Sequence, residues 1–577
     1  MRICVLQSSY EDSKSGHTDV DIIFPDPGAF TLHHSFENRF IQKSTAKEEI
    51  DAVIAGRFDF YINFLRGTLD DDVAGIEASR YFETFGVPSA GIRSWERLRT
   101  KNEFYDNARS RGAPPVPGKE KFPLIVKPAI GSASQMLAEH SICYDEIELQ
   151  SALRRINERL RDSRLRRAKA LGKEDPQAYA DSYDPQSRLS DDIVVQEYID
   201  GRDYRVSVIA VGDSALALQP CIVHTRQTSN RESSIKFDMK SHAQAGLELI
   251  SREENSTIYD RLQQVALESF DTGMFRHGYM GCDVRMRARP SGEVVAVGVY
   301  PLPVRFLPDD TGSADSPITE CLPGGHSAVV NIFIANYFLQ NKPLREWSKV
   351  AGKYDSLASS YDESMLGKSE LECIIRGFMT EFDYQGTLVD LACGTGIFGR
   401  LLAEHEPGHH LQRDGRVIGF DLSPKMVDVC RTLGFYNKVH LGRMQTCLLE
   451  HFAQGEVDHI VCFSAVYHLS PEEFAFLLVS CFVVATKSIT IGVDEIPDVY
   501  NETHHKTGNS FMHSFNHLKN MEALGTPRGW SLVKRQRQYG WSSPSIKDDV
   551  YITTFRFERV DQGSVHDVRL ARFPTKN

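Results

Sequence analysis

LVDLACGTGIFG, residues 388–399, is the stretch on which the fold of this chain turns. Apolar residues around Asp390 read as a short β-strand, Gly394-Thr395-Gly396 as a loop, and the residues after Gly396 as a helix. Glycines at such a junction mark a place where backbone must approach a ligand closely. Gly394, Gly396 and Gly399 also spell G-x-G-x-x-G. The surroundings sharpen the reading. Asp390 stands four residues before the first glycine, and Asp421 closes the next apolar run, residues 417–421. A carboxylate at that strand end can take both hydroxyls of a ribose.

Working outward, residues 354–382 read as a helix, 387–391 as a strand, 396–404 as a helix and 417–421 as a strand, an alternation that predicts a doubly wound α/β sheet. The runs 532–539 and 550–557 read as a terminal antiparallel pair. Together with Tyr354-Asp355, Tyr361-Asp362, the segment Asp421-Leu422-Ser423-Pro424-Lys425-Met426 and residues 458–469, this region resembles class I S-adenosylmethionine-dependent methyltransferases. The resemblance implies that Gly394 and Gly396 contact the methionine end of the cofactor, with Asp390 helping to hold its ammonium group. It further implies Asp421 on the ribose, Leu422 and Met426 on the adenine face, and Tyr361 closing over the methionine. The sequence departs from the family at residues 441–444, Leu-Gly-Arg-Met, where an acid near the adenine amine is usual. A dinucleotide site is the alternative reading of the loop; the acid before the glycines and Ser423-Pro424 after Asp421 favour the methyl donor. His468, after the fourth strand, lies where this family opens to its acceptor, as a base or as a wall of the pocket. His504, His505, His513 and His517 fall in a polar segment read as a cover over the substrate.

Upstream, strand-like runs at 3–6, 59–64, 124–127, 193–197, 206–211 and 294–299 alternate with helix-like segments. In order along the chain stand FDFYINFLRGT (58–68), ETFGVPSAG (83–91), Lys101, ARSRGAPPVP (108–117), LIVKPAIGSAS (124–134), VVQEYIDGRDYRV (194–206) and GCDVRM (281–286). This series resembles the D-alanine–D-alanine ligase branch of the ATP-grasp enzymes. The resemblance implies ATP, with Lys101 and Lys127 on its phosphates, the loop containing Ser132 folded over them, Gln196 and Tyr198 in the adenine hinge and Asp203 on the ribose. Asp283 matches a magnesium-binding aspartate of that family. Gly281, Gly298 and Tyr300 stand where the family has an arginine, a glutamate and an asparagine. Magnesium prefers carboxylates plus water in octahedral geometry, so Asp283 alone is a poor Mg2+ site.

At 577 residues there is room for about three or four domains. The expected division is an α/β pre-domain (1–95), ATP-grasp domains (96–340), a linker (341–352) and the methyltransferase domain (353–577). A net charge of −12 argues against a nucleic-acid partner. Residues 154–173 are strongly basic, as a solvated helix face or an arm for an anionic partner. Eleven cysteines without a Cys-x-x-Cys pair, no signal-peptide pattern and no apolar run of membrane-spanning length predict a cytoplasmic protein acting on small molecules, away from membranes. Two functions fit. One joins carboxylate–amine ligation to methylation in tailoring an amino-acid-derived product; the other keeps the methyltransferase beside an ATP-grasp frame that only binds.

Overall fold

In the computed structural model the strand Leu388–Leu391 lies at the centre of a seven-stranded sheet. The order across it is Lys438–Leu441, Val417–Asp421, Leu388–Leu391, Val457–Cys462, Ala485–Asp494, Asp548–Arg559 and Trp530–Ser543. The first five strands are parallel, and the last two join antiparallel. LVDL, VIGFD and VDHIVC are almost wholly buried, as parallel strands covered by helices on both faces must be. Chain order reverses between Leu388–Leu391 and Val457–Cys462, so a crevice opens at the carboxyl ends of these two strands. The structure describes all residues except 12–23, 68–72, 130–140, 171, 182–192, 225–246, 274, 276–277, 308–314, 342, 344–345, 367–369, 408–414, 544, 561–566 and 574–577.

The chain divides into two compact units, Met1–Glu320 with Phe573–Asn577, and Cys321–Arg572. The break falls earlier than the 341–352 linker read from the sequence. Helix Gly325–Gln340 carries apolar residues all round and needs cover on every side. It finds that cover against Pro471–Val484, an equally apolar helix of the second unit. From Trp347 the expected linker is helical, as Trp347–Leu357. The single helix expected over 354–382 is three: Trp347–Leu357, Tyr361–Leu366 and Leu371–Glu381.

In the first unit, Ser35–Ile41, Arg2–Ser8, Phe60–Phe64 and Ser89–Gly91 form a parallel sheet in that order. Ile142–Cys143, Leu124–Pro128 and Ile193–Glu197 form a small antiparallel sheet under helix Glu146–Ala170. That helix carries the basic run and buries Leu149, Ala152 and Ile156 against the sheet. A larger antiparallel sheet runs Leu247–Leu249, Cys221–Val223, Arg202–Val211, Gly281–Ala288, Val294–Tyr300, backed by helix Ser256–Gly273. A parallel pre-domain followed by two antiparallel sheets is the ATP-grasp-like, multidomain α/β arrangement expected. Among the described residues, no helix is long and apolar enough to cross a membrane. None of the eleven cysteines is in a disulfide.

Candidate functional site

The glycine loop leaves the sheet of the second unit at the reversal of strand order. Ala392, Gly394 and Gly396 all have positive φ (56°, 54° and 99°), which turns the chain from strand into helix Ile397–His405. The three glycines differ in purpose. A Cβ on Gly399 would stand 2.4 Å from the Tyr436 ring, and one on Gly396 would stand 3.1 Å from Cys430 Sγ. Both are glycine because the protein packs there. A Cβ on Gly394 would meet only Tyr361, at 4.0 Å, and so would project into open space. That bare backbone borders a cavity shared by Tyr361, Asp390, Asp421, Leu422, Met426 and His468. Of the residues expected at the methyl-donor site, Gly396 alone lies back from its lining.

Carboxylates order the cavity. Asp421 accepts from the Gly394 N–H through Oδ2 (2.9 Å) and from the Ser423 N–H through Oδ1 (2.8 Å), which pins the loop to the neighbouring strand end. A carboxylate has about four acceptor sites, so capacity remains for a ligand hydroxyl. Burial raises its pKa, against these backbone hydrogen bonds. Ser423 caps helix Pro424–Leu433, and its hydroxyl donates to Asp355 Oδ1 at 2.5 Å. Thr395 Oγ1 likewise donates to Asp362 Oδ1. The two Tyr-Asp pairs upstream therefore act as clamps: each aspartate ties its helix to the loop or the capped helix, and each tyrosine faces the cavity. Asp390 Oδ2 accepts from Tyr436 OH at 2.5 Å, and that hydroxyl accepts from the Gly399 N–H at 3.0 Å. Burial pushes Asp390 up to about 7, with the Tyr436 hydrogen bond opposing.

On the far wall, His468 is buried and its Nε2 lies 2.8 Å from Tyr354 OH, which in turn lies 3.3 Å from Tyr467 OH. Ser464, at φ 53°, lines the cavity beside it. Gly442, Arg443, Met444 and Gln445 border the end where the resemblance places adenine. Of the four downstream histidines, His505 and His513 pack edge to face with ring centroids 5.7 Å apart. His517 is buried, its Nε2 3.0 Å from the Leu469 carbonyl oxygen and its ring stacked on Phe474. His513 and His517 do not share a helix, because the helix starts at Leu518.

In the first unit the expected nucleotide residues already hold protein partners. Lys127 Nζ donates to Tyr105 OH and to the Val297 carbonyl oxygen, both at 3.3 Å. Tyr105 OH donates to Gln196 Oε1 at 2.8 Å. Lys101 Nζ donates to the Pro128 carbonyl oxygen at 3.2 Å. Burial lowers both lysines, Lys101 to about 8, and Lys127 further because Lys101 and Arg287 add positive charge beside it. Tyr198 lies under the Arg287 guanidinium. Ser132 falls outside the described residues.

Two of the expected residues hold arginine partners. Asp203, expected on a ribose, is held in bidentate fashion by Arg287, at 2.7 and 2.9 Å. Asp283, expected on magnesium, accepts from Arg205 Nε at 2.7 Å, with both side chains buried. The cause is strand register: Asp203 lies directly opposite Arg287, and Asp283 sits one rung diagonal from Arg205, so each carboxylate meets an arginine across the antiparallel pair. Tyr300 lies opposite Asp283 on the other side. Among the described residues, no three His, Cys, Asp or Glu side chains converge to hold a metal ion. The residues present do not fit magnesium.

Residues 388–487 match the family model of a methyltransferase domain. The second unit carries a methyltransferase domain. No curated protein sequence matches the chain. Among solved structures, magnesium protoporphyrin IX methyltransferase from Synechocystis PCC 6803 with bound S-adenosylhomocysteine is similar at 14% identity, over 37% of this chain and 99% of that one, with a TM-score of 0.28. The L-amino acid ligase of Bacillus licheniformis is similar at 13% identity, over 57% of this chain and 75% of that one, with a TM-score of 0.36. The VanG D-Ala:D-Ser ligase of Enterococcus faecalis is similar at 14% identity, over 58% and 99%, with a TM-score of 0.36.

Sequence reasoning missed three residues of the methyltransferase domain. Tyr436 buttresses Asp390 and the glycine helix at once, which no local pattern signals. Trp347, on the cavity wall, was placed in a linker. Asp494 closes the apolar run ITIGVD much as Asp421 closes VIGFD, and that parallel was legible.

Proposed function

We propose that the chain transfers the methyl group of S-adenosylmethionine to a small molecule, and that its first unit binds an anionic ligand, with ATP the first candidate, without ligating. The observation that carries the first part is the bare Gly394 backbone beside Asp421 and Asp390 in one cavity. When bound, the cofactor supplies an electrophilic methyl carbon on a sulfonium. The chain's own task is then alignment and exclusion of water, and proximity of this kind contributes roughly 7–11 kcal/mol to such a displacement. Asp421 holds hydroxyls, Asp390 an ammonium, and Leu422 and Met426 offer an apolar face. His468 and Tyr354 form the acceptor wall.

A pH dependence follows from Asp390. Its folded pKa, about 7, lies above the ordinary value of about 3.9. It therefore withdraws stability from the empty protein as pH rises through that window, and no further above it. A bound ammonium favours the charged form, so S-adenosylhomocysteine should bind more tightly as pH rises towards 7, then level off. Calorimetry in two buffers of different ionisation enthalpy should register proton release at pH 6, and Asp390→Asn should remove it. An affinity flat in pH with no proton exchange would place the ammonium elsewhere.

For the first unit, the cluster of basic side chains in which Lys127 lies beside Lys101 and Arg287 supports an anion site. The arginine partners of Asp203 and Asp283 count against magnesium-dependent ligation. Calorimetric titration of ATP should give binding that is indifferent to magnesium and weakened in Lys127→Ala. Magnesium-dependent binding with ADP release on adding an amino acid would restore the ligase reading.

A further inference from the structure

At the carboxyl end of the fifth parallel strand, Asp494 is fully buried. Its Oδ1 accepts from Ser464 Oγ and from Trp541 Nε1, each at 2.8 Å. Its Oδ2 is buried and has no hydrogen-bond partner among the described residues. An unsatisfied buried carboxylate oxygen is costly, and such a group calls for an explanation. Ser464 supplies the direction: it lines the cavity and holds Asp494 behind the same wall, next to His468. The electrostatic neighbours of Asp494 there are Tyr354, Tyr361, Tyr467 and Tyr500, from four separate helical segments. Tyr354 and Tyr361 pack edge to face, and Tyr500 packs against the same Trp541 that donates to the carboxylate.

We propose that Asp494 receives the methyl acceptor and that the accepting atom is the nitrogen of a primary or secondary amine, held between the unpartnered Oδ2 and this group of aromatic rings. The proposal rests on the methyltransferase reading of the same cavity. A hydroxyl acceptor would satisfy one lone pair but leave the buried negative charge uncompensated. An ammonium satisfies the oxygen, neutralises the charge and gains attraction from the ring faces. Burial raises Asp494 to about 6, so it is ionised at neutral pH yet takes a proton more readily than an ordinary carboxylate.

The chemistry balances. The ammonium N–H bond breaks and its proton passes to Asp494 Oδ2, leaving a lone pair on nitrogen. Nitrogen then bonds to the methyl carbon while the C–S bond breaks and its electron pair stays on sulfur. Positive charge thereby moves from sulfur to nitrogen, and the proton on Asp494 leaves to solvent as the product departs.

The test uses the full chain saturated with S-adenosylhomocysteine and four probes: benzylammonium, isobutylammonium, benzyl alcohol and isobutanol. Binding is followed by intrinsic tryptophan fluorescence, to which Trp541 contributes from beside the site. The ammonium ions should bind about tenfold more tightly than their alcohol partners. Asp494→Asn should erase that preference while leaving S-adenosylhomocysteine affinity within about twofold, which also shows that the variant is folded. Alcohols binding as tightly as ammonium ions, ammonium ions not binding at all, or a preference that survives in the variant would each overturn the proposal. Should S-adenosylhomocysteine fail to bind the wild-type chain, the cofactor reading itself falls, and the proposal with it.

Discussion

Gly394→Ala is expected to weaken cofactor binding severely while leaving the methyltransferase domain folded. The substitution places a Cβ at φ 54°, a strain of about 1–2 kcal/mol for an L-residue. Nothing in the protein opposes the new methyl group, since Tyr361, at 4.0 Å, is its nearest neighbour. What it fills is the space over the loop, where a ligand must lie against bare backbone. S-adenosylhomocysteine affinity should fall about 100-fold, equivalent to about 2.7 kcal/mol, with only a modest drop in Tm. Gly399→Ala should do the reverse. Its Cβ would sit 2.4 Å from Tyr436, forcing apart the hydroxyl that supports Asp390, so stability drops first. Calorimetry and thermal unfolding on both variants separate the two roles. Equal losses of affinity and stability in both would mean that Gly394 serves packing as well.

Asp283→Ala should destabilise the first unit by about 3–5 kcal/mol, because it leaves the Arg205 guanidinium buried without its carboxylate. The sign discriminates between two roles. A magnesium ligand removed from a metal-free protein relieves repulsion between carboxylates, and stability holds or rises. An ion-pair partner removed from a buried arginine strands a charge. Arg305, lowered to about 10 chiefly by burial and then by Arg205, sits in the same surroundings and would add to the excess of positive charge. Denaturant unfolding of wild type and variant, with and without magnesium, reads the difference. Unchanged stability in the variant, or a magnesium-dependent rise in the wild type, would return Asp283 to a metal role.

Much of the methyltransferase domain was legible because its determinants are local. A strand end, a left-handed loop and a helix start occupy adjacent residues, so Asp390, Gly394 and Asp421 could be named from their spacing together with the family resemblance it carries. The first unit was legible as a frame for the same reason, through short motifs in a fixed order. Its chemistry was not. Asp203 and Asp283 occupy the positions the resemblance predicts, but their partners lie on the neighbouring strand, 84 and 78 residues away.

The sequence by itself determined the two α/β frames, the glycine loop and the carboxylates at two strand ends. These follow from apolar periodicity and from backbone conformations that only particular residues adopt. Only the tertiary structure decided which glycine is bare and which is packed, which carboxylate meets an arginine and which, as with Asp494, keeps an oxygen unpartnered. Each of those outcomes depends on contacts between segments distant in the chain, set by strand register and by how helices close over the sheet.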